Sequence, residues 1–266
     1  MVTINTPQAL KICLSVLVVL SASSMLKTKA QDRQFYQLKI YTFDTDEQVK
    51  TTDKFLKDAY LPALKRVDIQ NVGVFKLRPD EVDTLKQIFV LTPFSSMAQF
   101  ESLERKLARD NTYQAAGSDY LKASHQQPPY RRVESILLRA FEDMPAMRPS
   151  AVDGPRKDRI YELRSYESAT EAYFRNKVDM FNAGGEIKLF DKLAFNAVFY
   201  GEVISGPAMP NLMYMTTFSD KKSRDAHWQS FREAPEWKEL KAQPKYANNV
   251  SHIDIIFLYP TGYSDY

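Results

Sequence analysis

Within RIYELRSYES (159–168), Glu162, Arg164 and Tyr166 recur at every second residue. In an extended strand this spacing puts all three on one face, with alternate α-carbons about 7 Å apart. A carboxylate, a guanidinium and a phenol so placed can pair with one another or grip opposite ends of a small polar ligand. A second stretch of strand character, HIDIIFL (252–258), carries His252 and Asp254 on one of its faces. Laid beside the first strand, it brings His252 close to Tyr166 and Asp254 close to Arg164. The expected ligand-binding set is therefore Glu162, Arg164, Tyr166, His252 and Asp254. Among these, His252 as general base or acid and Tyr166 as proton donor are the catalytic candidates, with Arg164 holding an anion. The same residues also suit a purely structural role, because interleaved ions and phenols between two sheets satisfy one another and fix how the sheets meet.

Other chemistries lack support. The three histidines, His125, His227 and His252, are scattered and show no ligand spacing, so no metal site is expected. Eight glycines with no glycine-rich loop after a strand argue against phosphate cradling and dinucleotide binding, and no cofactor is expected. No serine sits in a G-x-S-x-G elbow. The single cysteine, Cys13, lies near the start, so thiol chemistry and disulfides are excluded beyond it. Lys11, Lys27 and Lys29 account for the formal charge of +3, and from Gln31 onward acids and bases balance. A neutral remainder offers no basic stripe for nucleic acid. ICLSVLVVL (12–20), preceded by Lys11 and followed by TKA, has the pattern of a secretory signal peptide ending near Ala30. Its nine residues fall short of the roughly 20 that span a bilayer, so export without a lasting membrane anchor is expected.

The elements that must position the polar residues come in two copies. YQLK (36–39) matches YELR (161–164), TPFS (92–95) matches TTFS (216–219), Tyr113 matches Trp237, and RRVESILL (131–138) resembles SHIDIIFL (251–258). The landmarks keep their order and a nearly constant offset, the signature of an internal repeat. In the second copy the pattern predicts a strand over 160–166 and a helix over 168–182 with Thr170, Phe174, Val178 and Phe181 on one face, ended by Gly184 and Gly185. Strands follow near 195–204 and 211–218, then a helix capped by Ser219 or Asp220 that buries Trp228 and Phe231. A short turn opened by Pro235 carries Trp237 and Leu240, and the strand 252–258 closes the unit. Both tryptophans read as core or interface residues. In the first copy Val49, Leu56, Tyr60, Ala63 and Val67 mark a helix. The order predicts an α+β fold of two tandem ferredoxin-like β-α-β-β-α-β units. Their expected bounds are 31–140 and 159–266, joined by a proline- and charge-rich linker at 141–158 and preceded by the signal peptide at 1–30.

YELRSY (161–166), GG (184–185), TTFSDKKSRDAHW (216–228) and PEW (235–237) resemble the NIPSNAP family. The first copy departs from that pattern, with Gln37 and Lys39 where the second has Glu162 and Arg164, so at most one site is expected. The resemblance implies ferredoxin-like units whose sheets close into an α+β barrel, from two chains or from tandem units. It implies no agreed enzymatic activity. On this reading Tyr161, Leu163 and Ser165 face the helices, while Glu162, Arg164 and Tyr166 face the barrel interior. The expected role is binding, of a small molecule or a protein partner, with a homodimer as one form of partner. The alternatives are a cofactor-independent oxygenase or isomerase built on the polar cluster, and an assembly subunit whose polar sheet face docks a second chain.

Overall fold

A computed structural model describes Met1 and residues 32–79 and 85–266. The rest of the expected export segment, 2–30, lies outside the described residues. In the first half, β1 (Phe35–Phe43) leads to α1 (Asp46–Phe55), which runs through one π-helical turn into α2 (Leu61–Arg66). Strands β2 (Gly73–Leu77) and β3 (Lys86–Phe94) follow, then α3 (Met97–Ala108), α4 (Asn111–Ala116), α5 (Ser118–Leu121) and β4 (Arg132–Ala140). The second half repeats the order with β5 (Ile160–Glu167), α6 (Glu171–Phe181), α7 (Glu186–Lys192), β6 (Phe199–Ser205), β7 (Asn211–Phe218), α8 (Lys221–Glu233), α9 (Pro235–Ala242) and β8 (His252–Pro260).

The eight strands form one closed antiparallel barrel in the order β1-β3-β2-β8-β5-β7-β6-β4. Each half contributes four consecutive strands of the ring, and β2–β8 and β4–β6 are the two seams. The barrel therefore closes within a single chain, which leaves no full-length edge strand. Local signals account for the helices. Thr45, Ser96, Thr170 and Asp220 each accept a backbone N–H at the start of α1, α3, α6 and α8, and Pro235 opens α9. One helix, α7, was not anticipated. Gly185 at φ 87° turns the chain sharply after α6, and Ile187, Leu189 and Phe190 are buried in the new turn. β6 also begins later than expected, because Ala194 and Asn196 hold left-handed backbone just before it.

Three apolar layers follow from the strand alternation. Tyr36, Leu38, Phe75, Phe89, Leu91, Tyr161, Leu163, Met213, Met215 and Leu258 pack inside the barrel with residues of both halves. A second cluster lies between the first-half sheet and α1–α4, and a third between the second-half sheet and α6–α8. This reverses the expected assignment of faces on β5. Tyr161 and Leu163 point inward, and Glu162, Arg164 and Tyr166 lie under the helices. The reason is volume: the interior of an eight-stranded barrel is just wide enough for side chains to fill, and the bulky apolar face takes that place. The stretch 141–158 also contributes, burying Phe141 and Met144 under the helices and Met147 against the barrel core.

Candidate functional site

The polar residues of β5 form a compact buried group. Glu162 is fully buried, and its carboxylate accepts from Arg164 Nε at 2.6 Å, Arg224 Nε at 2.8 Å, Arg224 Nη2 at 2.9 Å and the Trp228 indole at 2.8 Å. Burial alone would push its carboxyl upward. The Arg224 hydrogen bonds, the charges of Arg164 and Arg224, and the indole outweigh that effect and hold it below the usual carboxylate range. Arg164 also donates to the Tyr166 hydroxyl at 3.1 Å and stacks on the Trp228 ring at 3.8 Å. Tyr166 shares a 2.8 Å hydrogen bond with Tyr214 from the neighbouring strand. Burial, and then Tyr166, push the Tyr214 phenol well above its ordinary range. One carboxylate thus faces two guanidiniums, and Arg224 also pairs with the exposed Asp225 at 2.9 Å, so two acids stand against two bases.

Beside this group, a cavity of about 390 Å³ opens between the sheet and the helices, within the size range of small-molecule sites. Arg164, Tyr166, Trp228, Phe231 and Ile253 line it, together with Trp237 from α9 and Tyr246 and Asn249 from the segment before β8. Lys177 and Glu186, which also line it, pair with each other at 2.7 Å, both almost fully buried. The Lys177 ammonium lies 4.5 Å from the Phe181 ring centre and 5.9 Å from that of Trp237. Arg232 and Lys241 line the cavity as exposed residues, and neither makes an ion pair among the described residues. Gly184 is required where α6 meets this site. A β-carbon there would fall 2.4 Å from the Met180 carbonyl and 2.9 Å from the Tyr246 hydroxyl.

Glu162, Arg164 and Tyr166 are brought together as expected, though on the opposite side of the sheet. His252 and Asp254 are not part of the group. In the observed register His252 sits opposite Glu167 and Asp254 opposite Ser165, so both belong to the other face of the sheet, at the rim of the barrel. They pair with each other at 3.1 Å and are 57% and 54% exposed. The expected neighbours were off by one residue, and a one-residue shift changes the face of a strand. Glu167, His252 and Asp254 do place one ligand atom each within 4.8 Å of one another, a grouping that sequence spacing does not reveal. Lys177, Glu186, Arg224, Tyr214 and Asn249 were missed as site residues. The four-residue spacing of Arg224 and Trp228 on α8 was a readable signal. The pairing of Lys177 with Glu186 across the glycines was not.

The first half lacks this site. Gln37, Lys39 and Tyr41 occupy the places of Glu162, Arg164 and Tyr166, and Gln37 donates to Ser135. Lys39 lies under the Tyr60 ring, at 5.2 Å, and Phe55 stacks on Tyr120 at 3.8 Å. Aromatic side chains fill the space between sheet and helices.

A closed barrel of two fused β-α-β-β-α-β halves, with a cavity beside a buried polar group under the helices of the second, defines a tandem α+β barrel protein. Residues 161–265 match the NIPSNAP family model, so the chain carries a NIPSNAP domain in its second half. Similar solved structures include a candidate monooxygenase from Lactobacillus acidophilus NCFM, with 9% identity, a TM-score of 0.56, and coverage of 86% of this chain and 94% of that one. A second candidate monooxygenase, from Fusobacterium nucleatum, shows 9% identity and a TM-score of 0.51 over 86% of this chain and 93% of that one. A NIPSNAP family protein from Agrobacterium tumefaciens shows 17% identity and a TM-score of 0.36 over 40% of this chain and 97% of that one. At these identities the likeness concerns the fold. No curated protein sequence matches the chain.

Proposed function

We propose that the protein binds a small organic anion with an apolar or aromatic body in the cavity between the second-half sheet and its helices. The observation that carries this reading is the lining itself. Trp228, Trp237, Phe231 and Ile253 offer an apolar bed, while Arg164, Lys177, Arg232 and Lys241 outnumber the one lining carboxylate, Glu186. Arg164 and Lys177 are already oriented by Glu162 and Glu186, so an entering anion meets donors held in place. Arg232 and Lys241 at the mouth would attract it electrostatically.

The chain has two tryptophans, and both line this cavity, so intrinsic fluorescence reports on its occupancy. Benzoate, cyclohexanecarboxylate and decanoate are expected to change tryptophan emission and raise the melting temperature. The matching neutral amides should act more weakly. Arg232→Glu combined with Lys241→Glu should weaken the response to the anions by about tenfold, roughly one charge contact's worth. Equal effects of acids and amides, or no effect of any, would remove the reading.

The competing reading is a cofactor-independent enzyme. It retains Tyr166 as a proton donor at the cavity wall, hydrogen-bonded to Arg164 and Tyr214, but it loses His252 as its base. Turnover of a bound compound that is abolished by Tyr166→Phe, with binding intact, would favour it.

A further inference from the structure

One rim of the barrel carries two incomplete strand edges. β4 pairs with β1 from Arg132 onward, but with β6 only from Leu137. Likewise β8 pairs with β5 from His252 onward, but with β2 only from Leu258. Residues 132–135 and 252–255 are exposed throughout. Among the described residues no strand pairs with the β6-facing side of the first or the β2-facing side of the second, where the last contact is from the Arg78 N–H to the Phe257 carbonyl. The two segments start at the same end of the barrel, on strands four places apart in the ring of eight, and so lie diametrically opposite. Among the exposed large apolar side chains, Val133, Ile204, Met209, Ile253 and Ile255 all sit at this end. An exposed edge bearing apolar side chains is a template for another strand.

We propose that this rim joins two copies of the chain, with β4 of each copy adding antiparallel to β8 of the other. A two-fold axis perpendicular to the barrel axis makes both pairings at once, because it presents the free side of each β4 to the free side of the opposite β8. Side-chain chemistry selects the register. Pairing Arg132 with Asp254 also pairs Val133 with Ile253 and Glu134 with His252, so that both polar pairs are complementary and the apolar pair is matched. Within each copy, Arg132 and Glu134 share a face with Ile136, and His252 and Asp254 share one with Leu258, so the paired residues lie on corresponding faces of their strands. The next registers that preserve the faces fail. One sets Arg132 against His252, and the other sets Glu134 against Asp254. The joined rim also brings β4 of the other copy beside Ile253, which lines the cavity.

Light scattering coupled to size exclusion at about 50 μM protein, enough to saturate a dimer of micromolar Kd, tests the arrangement. The unmodified protein is expected at twice the chain mass. Arg132→Asp sets two aspartates opposite each other, Asp254→Arg sets two arginines opposite each other, and both single variants are expected to run as monomers. The double variant, with the charges exchanged, is expected to regain the dimer. All three change exposed side chains, and circular dichroism checks that they remain folded. A monomeric unmodified protein, or a dimer that persists in both single variants, overturns the proposal. So does a double variant that stays monomeric.

Discussion

Glu162 is the residue on which the buried polar group depends, because two guanidiniums and an indole all converge on its carboxylate. Glu162→Gln removes the charge and leaves Arg164 without its counter-ion beneath the helices. Breaking a buried pair in this way costs about 3–5 kcal/mol, which urea unfolding would measure, and a loss under 1 kcal/mol would mean that the group is hydrated. The same residue sets a pH dependence. Its folded pKa lies below its unfolded value of about 4.3. Its contribution is therefore complete above that value and is lost as pH falls through the folded pKa. The acid limb of the stability curve should flatten in Glu162→Gln. The co-location of Glu162, Arg164 and Tyr166 could be read from period-two spacing alone. Which side of the sheet they take could not, because both faces of β5 are buried and only the filling of the closed barrel decides between them.

At the scale of elements, the turn between α6 and α7 holds the cavity in shape. Gly184→Ala would press a methyl group against the Met180 carbonyl and the Tyr246 hydroxyl, forcing the segment before β8 away from α6. The expected result is a loss of about 1–3 kcal/mol, as for overpacking elsewhere, together with weaker anion binding in the fluorescence titration. An unchanged titration would show that Tyr246 is not held by this contact. Asp220 caps α8, which carries Arg224 and Trp228. Asp220→Ala should cost about 1 kcal/mol, measurable as a lowered denaturation midpoint. Caps, helices and strand order were legible because each rests on local chemistry repeated in two copies. The helix α7 was not, since seven residues after two glycines look the same as a loop until Ile187 and Phe190 find a surface to cover.

At the scale of the molecule, the barrel depends on both halves, because its interior is shared between them. Residues 159–266 alone would expose Tyr161, Leu163, Met213, Met215 and Leu258 on one sheet face. Such a fragment is expected to pair with itself and close a barrel from two copies, and a folded monomer by light scattering would contradict this. The repeat announced this closure through matched landmarks at a constant offset. It could not announce that rim residues such as His252 would stand in solvent, since that depends on how far β2 and β6 reach along their neighbours.

Fusing the halves has also released them from identity. With Tyr60 and Phe55 filling one side and Trp228 and Trp237 lining an open space on the other, a titration should saturate at one equivalent per chain. It should follow a single hyperbola, because the counterpart of this cavity in the first half is filled by aromatic side chains and cannot be coupled to it.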